Sequence, residues 1–187
     1  MWEFSYAKTC CCDLTPALLA SCAPMMLAPN ASTADGLFLQ SVTGSNLFEI
    51  QSSQVALAKS NTPAVRAYAH MLIDQHTTAQ NQVNTLAAAR AVPLPKTLPP
   101  ELQLKVTALK NLNAASFDAA FLQEQVLAHQ LTLSLIQNER ITGKDTAVVA
   151  LANQLTPVIQ QHLQEVQTLL GAAPAPVPAP APAPASP

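Results

Sequence analysis

Four ionisable residues stand where a buried apolar side chain is expected. His76, His129 and His162 each interrupt a run of apolar residues spaced by three, four and seven, and Glu49 does the same in the first regular segment. Imidazole nitrogens and a carboxylate are good ligands for a divalent ion such as Zn, Fe, Cu or Mn. They can also satisfy one another in a metal-free polar layer, with Glu49 accepting hydrogen bonds from the rings. The cost of leaving them alone is what forces one of these solutions. An unpartnered buried polar group costs about 1 to 3 kcal/mol, and four at one level would weigh heavily on a domain of ordinary marginal stability. The candidate metal ligands are therefore Glu49, His76, His129 and His162, with Glu165, one turn beyond His162, as a further candidate. His70 falls off the apolar stripe and reads as a surface residue.

The spacing also limits the chemistry. A carboxylate-bridged di-iron centre needs Glu-x-x-His pairs, but the residues three before each histidine are Ile73, Val126 and Ile159. Ferroxidase and oxygenase chemistry lack their carboxylates. No serine is placed beside a histidine with an orienting acid and an oxyanion hole, and no Gly-rich phosphate loop is present. No catalytic residue and no organic-cofactor residue is assigned.

Four long helices must position these groups, and the spacing predicts them over 35–61, 63–90, 115–141 and 146–170, with a shorter helix over 101–112. Helix one keeps Phe38, Val42, Glu49 and Ala56 on one stripe, and helix two runs through Val65, Ala69, Leu72, His76, Ala79, Val83 and Leu86. Helix three carries Leu122, Val126, His129, Leu133 and Ile136. Helix four carries Val148, Leu151, Leu155, Val158, His162, Val166 and Leu169. Thr62-Pro63 starts helix two, Gly143 stops helix three and Asp145 caps helix four. Two tight connections and one long, proline-rich one make two antiparallel helix pairs, hence an all-α four-helix bundle over 35–171. Helical rise places Glu49 and His76 level, each ~20 Å from residue 62. The same arithmetic leaves His129 and His162 about one turn apart, at ~21 and ~28 Å from Gly143, a gap that a bend at Pro157 would narrow.

The flanks differ from this core. All four cysteines, Cys10, Cys11, Cys12 and Cys22, precede it, so no disulfide framework holds it. Leu19-Ala20-Ser21-Cys22 has the form of a lipobox, with Cys22 as the acylated residue, although the preceding segment carries Glu3 and Asp13 and only Lys8 as a positive charge. Residues 1–34 are thus expected to be a signal-like segment and linker. Residues 172–187 are an Ala-Pro repeat for which polyproline II is the expected state. Nine Lys and Arg against eleven Asp and Glu, a net charge of -2, disfavour a nucleic-acid partner. No run of ~18 apolar residues is available to span a bilayer in the mature domain. The protein partner is not named by any motif.

The motifs D-G-x-F-L at 35–39, M-L-I-D-Q-H-T at 71–77, F-D-x-x-F-L-x-x-Q-V-x-x-H at 117–129 and L-x-P-x-x-x-x-H-L at 155–163 resemble those of the bacterial exported domain of unknown function 4142, whose members are often labelled predicted outer membrane proteins. The resemblance covers about residues 35–170 and implies a ferritin-like four-helix fold and an envelope location, periplasmic or outer-membrane associated, without an established activity. Glu49, His76, Phe117, Asp118, His129, Pro157 and His162 carry over, while Gln75 stands where the family is expected to have Asp. The expectation is an exported or lipid-anchored envelope bundle with a structural or interaction role in preference to catalysis. Its rival is a mononuclear metal-binding or metal-dependent redox protein.

Overall fold

A computed structural model describes residues 31–172. The lipobox-like segment with Cys22 and the Ala-Pro tail from 173 onward lie outside them. The helices are α1 (Ala34–Lys59), α2 (Pro63–Ala89), α3 (Pro100–Asn111), α4 (Ala114–Thr142) and α5 (Thr146–Ala172), with no strand among the described residues. Each end has a local cause. Thr33 Oγ1 accepts from Gly36 N at 3.1 Å to open α1, and Asn113 Oδ1 accepts from Ser116 N at 3.0 Å to open α4. Pro63 and Pro100 occupy first-turn positions where no amide donor is needed. Asp145 Oδ1 accepts from Ala147 N and Val148 N at the start of α5. The α5 helix is continuous through Pro157.

The four long helices pack cyclically, α1 against α2, α2 against α5, α5 against α4 and α4 against α1, while α3 lies against α1 and α4. Two hairpins joined by the 90–113 crossover thus form the expected bundle. No described helix is long and apolar enough to cross a membrane.

The core is in two parts. Phe48, Tyr68, Leu72, Val106, Leu109, Phe117, Phe121, Leu122 and Val166 fill one end. Phe38, Leu39, Val42, Ala79, Val83, Ile136, Leu151, Leu155 and Ile159 fill the other. On every long helix the change from one cluster to the other falls across a buried polar step: Asn46 and Glu49 on α1, His76 on α2, Gln125, His129 and Thr132 on α4, and His162 on α5. A polar layer therefore crosses the middle of the bundle.

The α4–α5 turn depends on a missing side chain. A Cβ at Gly143 would lie 2.6 Å from the Glu139 carbonyl oxygen and 2.7 Å from Val149 Cγ2, and it would also run into the Glu139 carboxyl. Two of those three obstacles are a backbone atom and a β-branched side chain, which cannot swing aside. Gly143→Ala is expected to lower stability by about 2 kcal/mol or more, in the range of overpacked sites. Urea unfolding with an unchanged m-value checks this, and a midpoint equal to that of the natural chain would contradict it.

Candidate metal centre

The three imidazoles meet in the polar layer. His76, His129 and His162 are each at most 2% exposed, and one ring nitrogen of each lies within 4.8 Å of the other two. Their ring centroids are 5.3 to 5.8 Å apart. Three helices supply them, so no single element can form the site.

The hydrogen bonds fix which nitrogen of each ring faces inward. His129 Nδ1 lies 2.8 Å from the Gln125 carbonyl oxygen, which can only accept, so Nδ1 carries the proton and Nε2 holds a lone pair. His76 Nδ1 donates to Asn46 Oδ1 at 2.9 Å. That amide is held in orientation because Asn46 Nδ2 donates to Gln80 Oε1, while Gln80 Nε2 donates in turn to Thr43 Oγ1 and Asn84 Oδ1. His76 Nε2 is thereby left as an acceptor, and it is buried without a partner. His162 Nε2 lies 2.8 Å from Gln75 Oε1, and a proton held on that contact leaves Nδ1 as the lone pair. Each ring thus sends its N–H outward to an oxygen. His129 Nε2, a lone pair, faces His162 Nδ1 at 3.3 Å.

The electrostatics agree with neutral rings. Burial, and then the neighbouring imidazoles, push the His76 pKa well below its ordinary value. Burial lowers His129 to about 4, and burial together with His129 lowers His162 to about 4. Glu49 moves the other way, raised well above its usual value by burial. Both of its oxygens lack hydrogen-bond partners, and Oε1 stands 3.7 Å from His129 Nδ1, the outward nitrogen. Ser52 links this region to α4, because Gln125 Nε2 donates to its Oγ at 2.9 Å. Tyr68 donates to the His162 carbonyl at 3.2 Å from the opposite side.

Glu49, then, is buried in the layer as the apolar stripe implied, but it stands behind His129 and outside the group of three rings. Its expected level with His76 does not hold. Counted from the helix ends, His76 is 13 residues into α2, and the α1 residue 13 from Lys59 is Asn46. None of the three residues between the helices is helical, Ser60 and Thr62 being extended, so measuring from residue 62 placed Glu49 one turn too high. Asn46, Gln75 and Gln125 were invisible as site residues because amides are common on the surfaces of this chain. The offset expected between His129 and His162 narrows, because counted from Thr142 and Thr146 they stand 13 and 16 residues from the turn, and their ring nitrogens meet at 3.3 Å. Glu165 is exposed and outside the group, and His70 is exposed as expected.

Of the other motif residues, Phe117 is fully buried and stacks on Phe121 at 5.8 Å. Asp118 Oδ2 accepts from Thr62 Oγ1 at 2.5 Å, which ties the α1–α2 turn to α4. Asp35 Oδ1, in the first motif, accepts from Lys144 N and Asp145 N at 3.0 and 2.8 Å and so fastens α1 to the α4–α5 turn.

Two solved structures share this fold. A DUF305 fragment from Deinococcus radiodurans superposes with a TM-score of 0.69 at 17% identity, covering 78% of this chain and all of that one. A DUF305 protein from Streptomyces coelicolor, described as a putative secreted protein, gives 0.67 at 13% identity, covering 76% of this chain and 93% of that one. No curated protein sequence matches the chain. A family model described as Domain of unknown function (DUF4142) matches residues 20–169, most of the chain, and the protein belongs to that family.

Proposed function

We propose that this protein is an exported bundle whose polar layer binds one divalent metal ion through His76, His129 and His162. The observation that carries the reading is the convergence of three imidazole lone pairs, each ring being held by an outward N–H···O bond. Such bonds are what orient histidine ligands and raise their basicity in metal sites. A structural layer without metal is the weaker reading, because it leaves the buried His76 Nε2 without a donor. A water has only two protons for the three acceptors, whereas a cation satisfies all of them. Glu49 supports this from behind His129, because an ion bound by the rings favours release of the proton that burial holds on its carboxyl. With metal–nitrogen bonds of ~2.0–2.1 Å the ligand atoms stand about 3.5 Å apart, a spacing that His129 and His162 already have and that separations of up to 4.8 Å reach by closing in modestly.

Nitrogen ligands suit Zn and Cu best, with Fe and Mn behind. Elemental analysis of untagged protein spanning the bundle tests the reading. About one equivalent of metal, with a melting temperature that falls when a chelator is added, is expected. No metal after loading and no chelator effect would refute it.

Export rests on the lipobox-like segment and on the secreted description of the Streptomyces coelicolor neighbour. We place the protein in the bacterial cell envelope, attached through an acylated Cys22. Cys22→Ser is expected to lose acylation and move from the membrane to the soluble fraction of cells. Unchanged fractionation would refute the anchor.

A further inference from the structure

A cleft of about 170 Å³ runs between α2 and α5, and the two inward histidines of those helices, His76 and His162, form part of its wall. We infer that a metal ion held by the three imidazoles has a fourth coordination position open to this cleft, which accepts a small exogenous ligand. The inference rests on the metal reading proposed above and adds what the ion can bind.

Three observations lead there. First, among the described residues the protein brings three nitrogens together and no fourth His, Cys, Asp or Glu donor. Glu49 stands against the outward nitrogen of His129, and the Gln75 carbonyl is spent on the outward nitrogen of His162. Second, the cleft reaches His76 and His162 but is not lined by His129 or Glu49, so it approaches the cluster from the side that α1 and α4 leave uncovered. A zinc-like ion with three protein ligands keeps its remaining position for water or substrate. Third, the lining sets the ligand class. Ala79, Leu155, Val158 and Ile159 are apolar, Gln82 and Gln154 are neutral amides, and no Lys, Arg, Asp or Glu lines the cleft. Its volume matches about five or six waters at ~30 Å³ each. The site therefore suits a small neutral or singly charged monodentate ligand, bonded through one atom to the metal and otherwise in contact with an apolar wall.

Cobalt(II) substitution gives a visible spectrum that reports coordination, and azide serves as the probe. In the cobalt-loaded protein, azide is expected to change the spectrum saturably. Val158→Phe, which fills the cleft, should weaken azide binding at least tenfold while cobalt stoichiometry stays at one. Gln154→Trp, an exposed change at the rim, should slow or weaken azide binding in the same direction and covers the case in which Val158→Phe does not fold. A stoichiometric cobalt complex that azide leaves unchanged would overturn the open position and leave the metal reading standing. Azide binding that neither variant alters would overturn the cleft as its route. Failure to bind cobalt, zinc or copper at all would instead overturn the metal reading itself.

Discussion

His129→Ala is expected to reduce metal binding from about one equivalent to none at micromolar protein, with the fold intact. His129 is the ring whose Nε2 faces His162 directly and whose orientation is set by the backbone of its own helix through Gln125. Its removal leaves two nitrogens, too few for a closed borderline-metal site. At a metal concentration 100 times the dissociation constant, the natural protein gains about 2.7 kcal/mol of stability. For a domain of this size that is roughly 5 to 10 °C in melting temperature. The variant should show no such rise. Truncating the ring also leaves a cavity, so the metal-free variant will melt below the metal-free natural protein, and the informative quantity is the metal-induced shift in each. An equal shift in both would count against His129 as a ligand.

The second large effect concerns pH and lies at the α4–α5 end of the bundle. Glu139 is fully buried, and burial, then a hydrogen bond to the Asp35 carboxyl that its proton makes possible, then the charges of Asp35 and Asp145, raise its pKa from 4.5 to about 8. Asp35 comes from the first turn of α1 and Asp145 from the turn before α5. The nearby cation, Arg90 at the end of α2, is spent on Asp145 through bonds of 2.8 and 2.5 Å. Glu139 is therefore held as the neutral acid. A carboxyl raised in the folded state contributes stability that is fully present below about 4.5 and is lost as pH rises through about 8. Histidines lowered in the folded state have the opposite sign, so in metal-free protein His76, His129 and His162 cost stability as pH falls below 6.5. Glu49, raised likewise by burial, adds to the decline on the alkaline side, and the opposed trends give a maximum near pH 6.5. At 1.36 kcal/mol per pKa unit, the Glu139 contribution should shrink by about 2 kcal/mol between pH 6.5 and 8. Glu139→Gln, which cannot ionise, removes that part of the decline. Parallel urea titrations of the natural and Gln chains at both pH values read the difference, and identical pH dependence would show that Glu139 does not hold the proton.

Much of the bundle was legible because its stripes are long and its turns are marked. Val65 to Leu86 keeps one apolar face for six turns, Pro63 and Gly143 set boundaries, and polar residues that break such a face are conspicuous. The three histidines stood out for that reason. What stayed hidden was whatever depends on the exact height and facing of side chains. Asn46 reads as a surface amide until the α1–α2 connection is known to be extended, and Glu49 reads as level with His76 for the same reason. Which nitrogen of a ring turns inward depends on acceptors one turn away or on another helix, as with Gln75 and His162. The Asp35–Glu139 contact joins the start of α1 to the end of α4 across 104 residues, and periodicity carries no information about pairing over that distance.

The two-part core also has a physical consequence. Each apolar cluster buries large side chains on all four long helices, and the polar layer lies between them, so the layer is held from both ends without contributing much apolar area itself. A site supported in this way is preorganised before any ion arrives, which is the condition for tight binding with little ordering cost.

The central claim is that three imidazole lone pairs point at one another, and nitrogen-15 NMR of the metal-free protein at pH 7 measures this directly, since protonated and unprotonated ring nitrogens resonate far apart. The expected result is three neutral rings, with the proton on Nδ1 in His76 and His129 and on Nε2 in His162. A proton on Nε2 of His76 or His129, or on Nδ1 of His162, would place an N–H inside the cluster and contradict the account.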